Sequence, residues 1–168
     1  GYLLSSKKNG GTAMARGLEF SYNQQLVFLP AWLRGLSAYA TYTLIDSEGN
    51  YNSQGGVSDD QLVQFVPTAW NAGLTYQRRG WTVRAQFNYN ARFLNAYTAN
   101  PAERIYDDER IDGALNVKYQ FNKRLGLYCD WTNALDQTVV RVQGRGYYRP
   151  QKIRYNGMRF NFGLSGSL

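Results

Sequence analysis

The chain has 168 residues, a formal net charge of +7 and a mean hydropathy of −0.51, and 15% of its residues are aromatic. It has no histidine and one cysteine, Cys129, which excludes His-based metal sites, His-containing catalytic pairs and an internal disulfide. No apolar run approaches the roughly 18 residues of a membrane-spanning helix. No signal peptide is present at Gly1, so for an exported protein we expect the sequence to start inside a longer polypeptide.

Seven segments alternate apolar and polar residues with a period of two, which predicts β-strands. In chain order they are Leu18–Phe28, Leu36–Thr43, Trp70–Tyr76, Trp81–Phe93, Ile111–Phe121, Arg124–Thr132 and Met158–Leu168. In the clearest of them, Trp81–Phe93, the alternation is strict. Twelve steps of roughly 3.3 Å, tilted by about 45°, give about 28 Å of height, close to the apolar band of a membrane barrel. Strands of soluble sheets are usually half as long.

Short and long connections alternate between these strands. Short turns are predicted at Pro30–Gly35, Arg78–Gly80 and Asn122–Lys123, and long polar segments at 46–66, 95–109 and 137–152. Outer-membrane barrels have short periplasmic turns and long extracellular loops, so we expect the last strand to end at the periplasmic rim. Aromatic residues near the strand ends, among them Trp70 and Trp81, fit two aromatic girdles at the membrane interfaces.

Seven strands are an odd number, whereas closed single-chain bacterial barrels have an even number. An open edge facing lipid would leave backbone N–H and C=O groups unpaired, at a cost of several kcal/mol each. The sequence therefore predicts an all-β fold, an antiparallel transmembrane β-barrel fragment of about seven strands.

Several short motifs follow one another along the chain. They are Gly17-Leu18-Glu19, Leu29 to Leu36, Tyr42-Thr43 with Asp46-Ser47, Val66-Pro67 before Asn71 and Gly73, Asn133 to Asp136, and Gly157 to Leu168. Their order and spacing resemble the C-terminal part of the β-barrel of TonB-dependent outer-membrane receptors. The resemblance covers nearly the whole chain and implies that residues 1–168 are about the last seven strands of a 22-stranded barrel. The plug domain and the earlier strands would then lie upstream.

The resemblance also implies a function. Receptors of this family take up a scarce solute of the siderophore, vitamin or oligosaccharide type across the Gram-negative outer membrane, driven by the TonB complex. Expected partners are outer-membrane lipid and lipopolysaccharide, the plug of the same protein, the TonB complex and an unidentified small-molecule ligand. Neither a cofactor nor a catalytic function is expected, and the basic residues gather on no single stripe that would indicate nucleic-acid binding.

The family resemblance also singles out the end of the chain. The last strand resembles the signal that the barrel-assembly machinery reads, with apolar residues at alternate positions: Phe160, Phe162, Leu164 and Leu168. Leu168 departs from the terminal Phe that is usual in the family.

Candidate binding residues lie in the long connections and on the polar faces. Loop candidates are Arg141, Arg145, Tyr147, Tyr148 and Arg149, with Asp59, Asp60, Tyr97 and Tyr106; a solvated hairpin loop is the favoured alternative for the basic run. Lumen-facing candidates are Arg84, Arg92, Lys118 and Asp130, which we expect to contact the plug or to line a solute path. The run Asp107-Asp108-Glu109 lacks the glycine-turn spacing of a calcium loop, so we expect it to be solvated and predict no metal site.

Two other functions fit parts of the pattern. A passive porin would share the periodicity, and only the sequence upstream would distinguish it from a receptor. A soluble β-sandwich that binds a ligand would also have alternating strands, but it would be recovered as a monomer without detergent.

Overall fold

Nearly every regular element of this protein is a β-strand. The computed structural model describes residues 12–51, 61–144 and 149–166. In those ranges the strands are β1 Ala13–Gln25, β2 Leu36–Gly49, β3 Thr68–Arg78, β4 Trp81–Asn90, β5 Phe93–Ala96, β6 Ile105–Asp107, β7 Arg110–Gln120, β8 Leu125–Thr132, β9 Val139–Gln143, β10 Arg149–Arg154 and β11 Arg159–Gly166. Two single 3-10 turns, Ala31–Leu33 and Pro101–Glu103, join them. Within the described ranges, no helix has the length and apolar character to cross a membrane.

Seven strands form one sheet, called here the wall, in the order β1-β2-β3-β4-β7-β8-β11. All neighbours are antiparallel, and within the described residues β1 and β11 pair on one side only. The prediction of an all-β antiparallel fold with seven wall strands is therefore confirmed. The sheet is not closed into a barrel.

The register of the wall places the apolar residues of every strand on one face. Partners across an antiparallel pair point to the same side of the sheet. One such row runs through Ala40, Ala72, Phe87 and Gly113. Large side chains on this face are exposed, with Phe162 at 82%. A continuous apolar surface of this extent is unusual for a soluble monomer and is what lipid contact requires.

The opposite face of the wall is polar. One row on it runs from Thr75 through Arg84 and Asn116 to Asp130. Asn116 donates its side-chain N–H to Asp130 within that row. These two polar side chains therefore satisfy each other, as expected on the inner side of a barrel.

Tight turns close one end of the wall, called here the short-turn end. Arg79 and Gly80 make a two-residue turn with φ of 50° and 84°, the backbone of a type I′ hairpin. Between β7 and β8, the side-chain oxygen of Asn122 accepts hydrogen bonds from the backbone N–H groups of Arg124 and Leu125. The first strand ends at Gln25 rather than at the predicted Phe28.

The long connections are less irregular than predicted. Segments 95–109 and 137–152 contain parts of a second, four-stranded sheet in the order β10-β9-β6-β5. The predicted strand Trp81–Phe93 is also interrupted, because β4 ends at Asn90 and Phe93 begins β5 in the second sheet.

The two faces of β4 should respond differently to an added charge. Phe87→Arg places a cation on the apolar face and should lower the free energy of unfolding in lipid by roughly 2–4 kcal/mol. Asn88→Arg, its neighbour on the polar face, should change it by less than about 0.5 kcal/mol. Urea unfolding of the complete barrel in vesicles measures both, and equal effects would contradict the assigned faces.

Gly73 should tolerate no side chain. A Cβ there would lie 2.5 Å from Cε1 of Tyr39 and 2.8 Å from the carbonyl oxygen of Ala85. Because backbone blocks one side, Gly73→Ala should destabilise the barrel by about 1–3 kcal/mol in the same unfolding assay. The control is Gly166→Ala, whose nearest neighbour would be 3.6 Å away, so a comparable loss there would contradict the steric cause.

Candidate functional site

The second sheet packs at the end of the wall opposite the short turns. We call β5, β6, β9 and β10, together with residues 61–65, the loop unit. Leu94, Tyr106 and Val142 form its core and are almost completely buried. Val63 and Val140 pack against that core. The loop unit therefore has an apolar interior of its own, which isolated solvated loops do not have.

Backbone hydrogen bonds join three separate connections in the loop unit. Strand β6, from the connection between β4 and β7, pairs with β9 from the connection between β8 and β11. The N–H of Gln64, from the connection between β2 and β3, donates to the carbonyl oxygen of Leu94 at 2.7 Å. Tyr51 stacks on Tyr97 with the ring centroids 4.0 Å apart. The three connections are thus fixed relative to one another.

The acidic run Asp107-Asp108-Glu109, which was predicted to be solvated, connects β6 to β7, and two of its side chains have polar partners. Asp107 accepts a hydrogen bond from the side-chain amide of Asn95 at 3.1 Å and forms an ion pair with Arg141 at 2.7 Å. Glu109 accepts from the hydroxyl of Tyr89 at 2.9 Å. These carboxylates hold the loop unit together and link it to the wall.

Two arginines lie against tyrosine rings in the loop unit. The guanidinium of Arg92 is 4.8 Å from the ring centroid of Tyr106, and it donates to the carbonyl oxygen of Gly144 at 3.1 Å. Arg104 lies at the same distance from the ring of Tyr97 and donates to the carbonyl oxygen of Thr98. Cation–π contacts of this kind stabilise partly desolvated arginines.

A pocket of about 220 Å³ lies between the loop unit and the end of the wall. It is lined by Val66, Asn90, Phe93, Asp107, Asp108, Arg110, Val139 and Val140. Apolar walls with two acidic groups and one basic group suit a small polar molecule or a few waters. Elsewhere in the described residues, no three His, Cys, Asp or Glu side chains come together as a metal site would need.

The predicted loop candidates have different positions. Tyr106 lies in the core of the loop unit, Tyr97 is part of the stack with Tyr51, and Arg141 is paired with Asp107. Arg149 begins the exposed edge strand β10. Asp59, Asp60, Arg145, Tyr147 and Tyr148 lie outside the described residues. Of the candidates that are described, Arg149 is therefore the most accessible to a ligand.

The predicted lumen candidates fall in two places. Arg84, Lys118 and Asp130 lie on the polar face of the wall, with Lys118 opposite Thr82 and Tyr128 in register. Arg92 follows the end of β4 and contacts the loop unit instead. In the predicted assembly signal, Phe160, Phe162 and Leu164 are exposed on β11, at an open edge of the wall. Leu168 lies outside the described residues.

The loop unit was not predicted, although the sequence carries a weak signal for it. Val139, Val140 and Val142 are β-branched, and Ile105-Tyr106 is a second short apolar pair. Both runs are too brief to show a period, and their pairing joins residues far apart in the chain.

Comparison with known proteins bears on this architecture. No family model and no curated protein matches the chain. Among solved structures, the unliganded ferric citrate transporter FecA matches 94% of this chain with a TM-score of 0.70 and 19% sequence identity. The matched part is 24% of the FecA chain, so this chain spans about a quarter of that protein. At this identity the likeness establishes the fold alone: the chain folds like a section of the FecA barrel.

Proposed function

We propose that the chain is the C-terminal wall of an outer-membrane receptor that takes up a scarce solute with energy from the TonB complex. The observation that carries the proposal is the seven-stranded sheet with one apolar and one polar face. The match to the FecA structure, which covers 94% of this chain, supports it. All 168 residues would belong to the barrel domain, with a plug domain upstream. The expected solute is of the siderophore, vitamin or oligosaccharide type.

The proposed membrane position follows from the two faces of the wall. Lipid would cover the apolar face, and the polar face with Arg84, Lys118 and Asp130 would meet the plug or the solute path. The short-turn end would face the periplasm, and the loop unit would face the outside, where lipopolysaccharide lies. Catalysis has no role in this proposal.

The loop unit supports a role in ligand capture. Its three connections are held by a buried core, by β-pairing and by the Asp107–Arg141 ion pair, so their outer surface is preorganised. A preorganised surface binds with a smaller loss of conformational entropy than separate loops would. The strand β10 adds the exposed cations Arg149, Lys152 and Arg154, which suit an anionic ligand.

Uptake by the complete protein tests the proposal. Cells that lack the gene should lose uptake of one radiolabelled solute among ferric siderophores, cobalamin and oligosaccharides. An uncoupler of the proton gradient should abolish that uptake in wild-type cells, because the TonB complex needs the gradient. Uptake that persists with the uncoupler, together with large steady conductance in planar bilayers, would identify a passive porin instead.

The loop unit should unfold separately from the wall when its core is truncated. Leu94→Ala removes a buried side chain and should lower the local stability by about 2–5 kcal/mol. Hydrogen exchange in the complete protein should then speed up for amides of β5, β6 and β9, but not for those of β2 and β3. Ile153→Ala, on the exposed strand β10, is the matched control and should change little. Equal acceleration throughout the wall would contradict a separate loop unit.

A further inference from the structure

The charges of this chain are segregated along the strands of the wall. Between residues 20 and 45, 61 and 102, and 113 and 129 the sequence has no Asp or Glu. These three ranges contain all the short turns, and the turns carry the cations Arg34, Arg78, Arg79, Lys123 and Arg124. The turns at the short-turn end therefore carry basic residues and no acidic residue.

Aromatic side chains lie directly beside these cations. Trp81 packs on Tyr119 with the ring centroids 4.6 Å apart, and Phe121 meets the edge of Tyr119 at 4.9 Å. Trp32, in the first turn, is 67% exposed. Aromatic rings of this kind prefer the headgroup level of a bilayer. In a wall that crosses a bilayer, as proposed above, the cations beside these rings would therefore lie at the depth of the lipid phosphates.

The position of Arg78 directs part of the charge toward lipid. Arg78 is paired in register with Trp81, so both residues belong to the apolar face of the wall. A long cationic side chain on that face can extend to the interface while its methylene groups remain in the apolar layer. A protein partner below the barrel would contact the turns and not the apolar face. A cation on the apolar face is therefore placed to contact a lipid headgroup.

Arg79 occupies a backbone position that does not favour arginine. Its φ of 50° lies in the left-handed region, and the following Gly80 has φ of 84°. Turns of this type strongly prefer Asn or Asp before the glycine. A strained residue at a surface turn is an indication that its side chain has a role.

We propose that the short-turn end binds the headgroups of anionic phospholipids in the leaflet that it reaches. Arg78 and Arg79 contact the phosphates beside Trp81, and Arg34, Lys123 and Arg124 extend the same basic rim to the neighbouring turns. The inference rests on the wall crossing a bilayer, as proposed above, but it is independent of solute uptake.

The test uses the complete protein in detergent with equal amounts of short-chain phosphatidylglycerol and phosphatidylcholine. Native mass spectrometry gives the ratio of the two bound lipids. The wild-type protein should bind phosphatidylglycerol preferentially, and Arg79→Asn should lower that preference roughly fivefold, since a cation near an anionic headgroup contributes about that factor. The preference should also weaken as the salt concentration rises.

Two comparisons separate binding from folding and from net charge. In phosphatidylcholine alone, Arg79→Asn should not lower the thermal unfolding temperature, because Asn suits the turn better than Arg. Arg84→Gln removes the same charge from the polar face, away from the short turns, and should leave the lipid ratio unchanged.

Three results would overturn the inference. The first is an equal loss of preference in Arg79→Asn and Arg84→Gln, which would indicate a net-charge effect. The second is no loss in Arg79→Asn, or no preference in the wild-type protein. The third is displacement of phosphatidylglycerol by the same concentration of inorganic phosphate, which would indicate an anion site rather than a lipid site. If uptake fails while the lipid preference remains, only the transport proposal is lost.

Discussion

The structure depends on one constraint, the register of the backbone hydrogen bonds in the wall. Because side chains alternate along a strand, a shift of one residue would move every apolar side chain to the polar face. The rows through Phe87 and through Arg84 show that adjacent strands keep the register that separates apolar from polar side chains. A bilayer offers no water to unpaired N–H and C=O groups, so the same ladder also satisfies the backbone.

The two ends of the wall differ in the length of their connections and in the charge of their side chains. At the short-turn end, connections of two to ten residues place aromatic and cationic side chains at one level. At the opposite end, the long connections bury Leu94, Tyr106 and Val142 and pair Asp107 with Arg141. Acidic side chains thus contribute to the packing of the loop unit, whereas the charged residues of the short turns are all cations.

Much of the wall could be predicted from the sequence, since strict alternation over ten or more residues is rarely found outside long strands. The faces of β4 and the short turn at Arg79-Gly80 follow directly from local pattern. The end of β4 at Asn90 could not be predicted, because the alternation of apolar and polar residues continues to Phe93. The loop unit could not be predicted either, since a strand of three residues such as Ile105–Asp107 is too short to show an alternation of apolar and polar side chains. Among the candidate residues, Tyr106 could be predicted from the sequence as an aromatic residue of a long connection. Its burial could not be predicted, because it depends on pairing with residues far away in the chain.

The pairing of β6 with β9 has a consequence for how the wall is assembled. The chain between these two strands is the hairpin of β7 and β8, so the pair can form only when that hairpin has its native alignment. If β7 and β8 slipped by two residues, the faces of the wall would still be correct, but Tyr106 and Val142 would no longer meet. The loop unit therefore disfavours misaligned pairings of β7 and β8 that keep both faces of the wall correct. Burial of the apolar face in a membrane would not disfavour them.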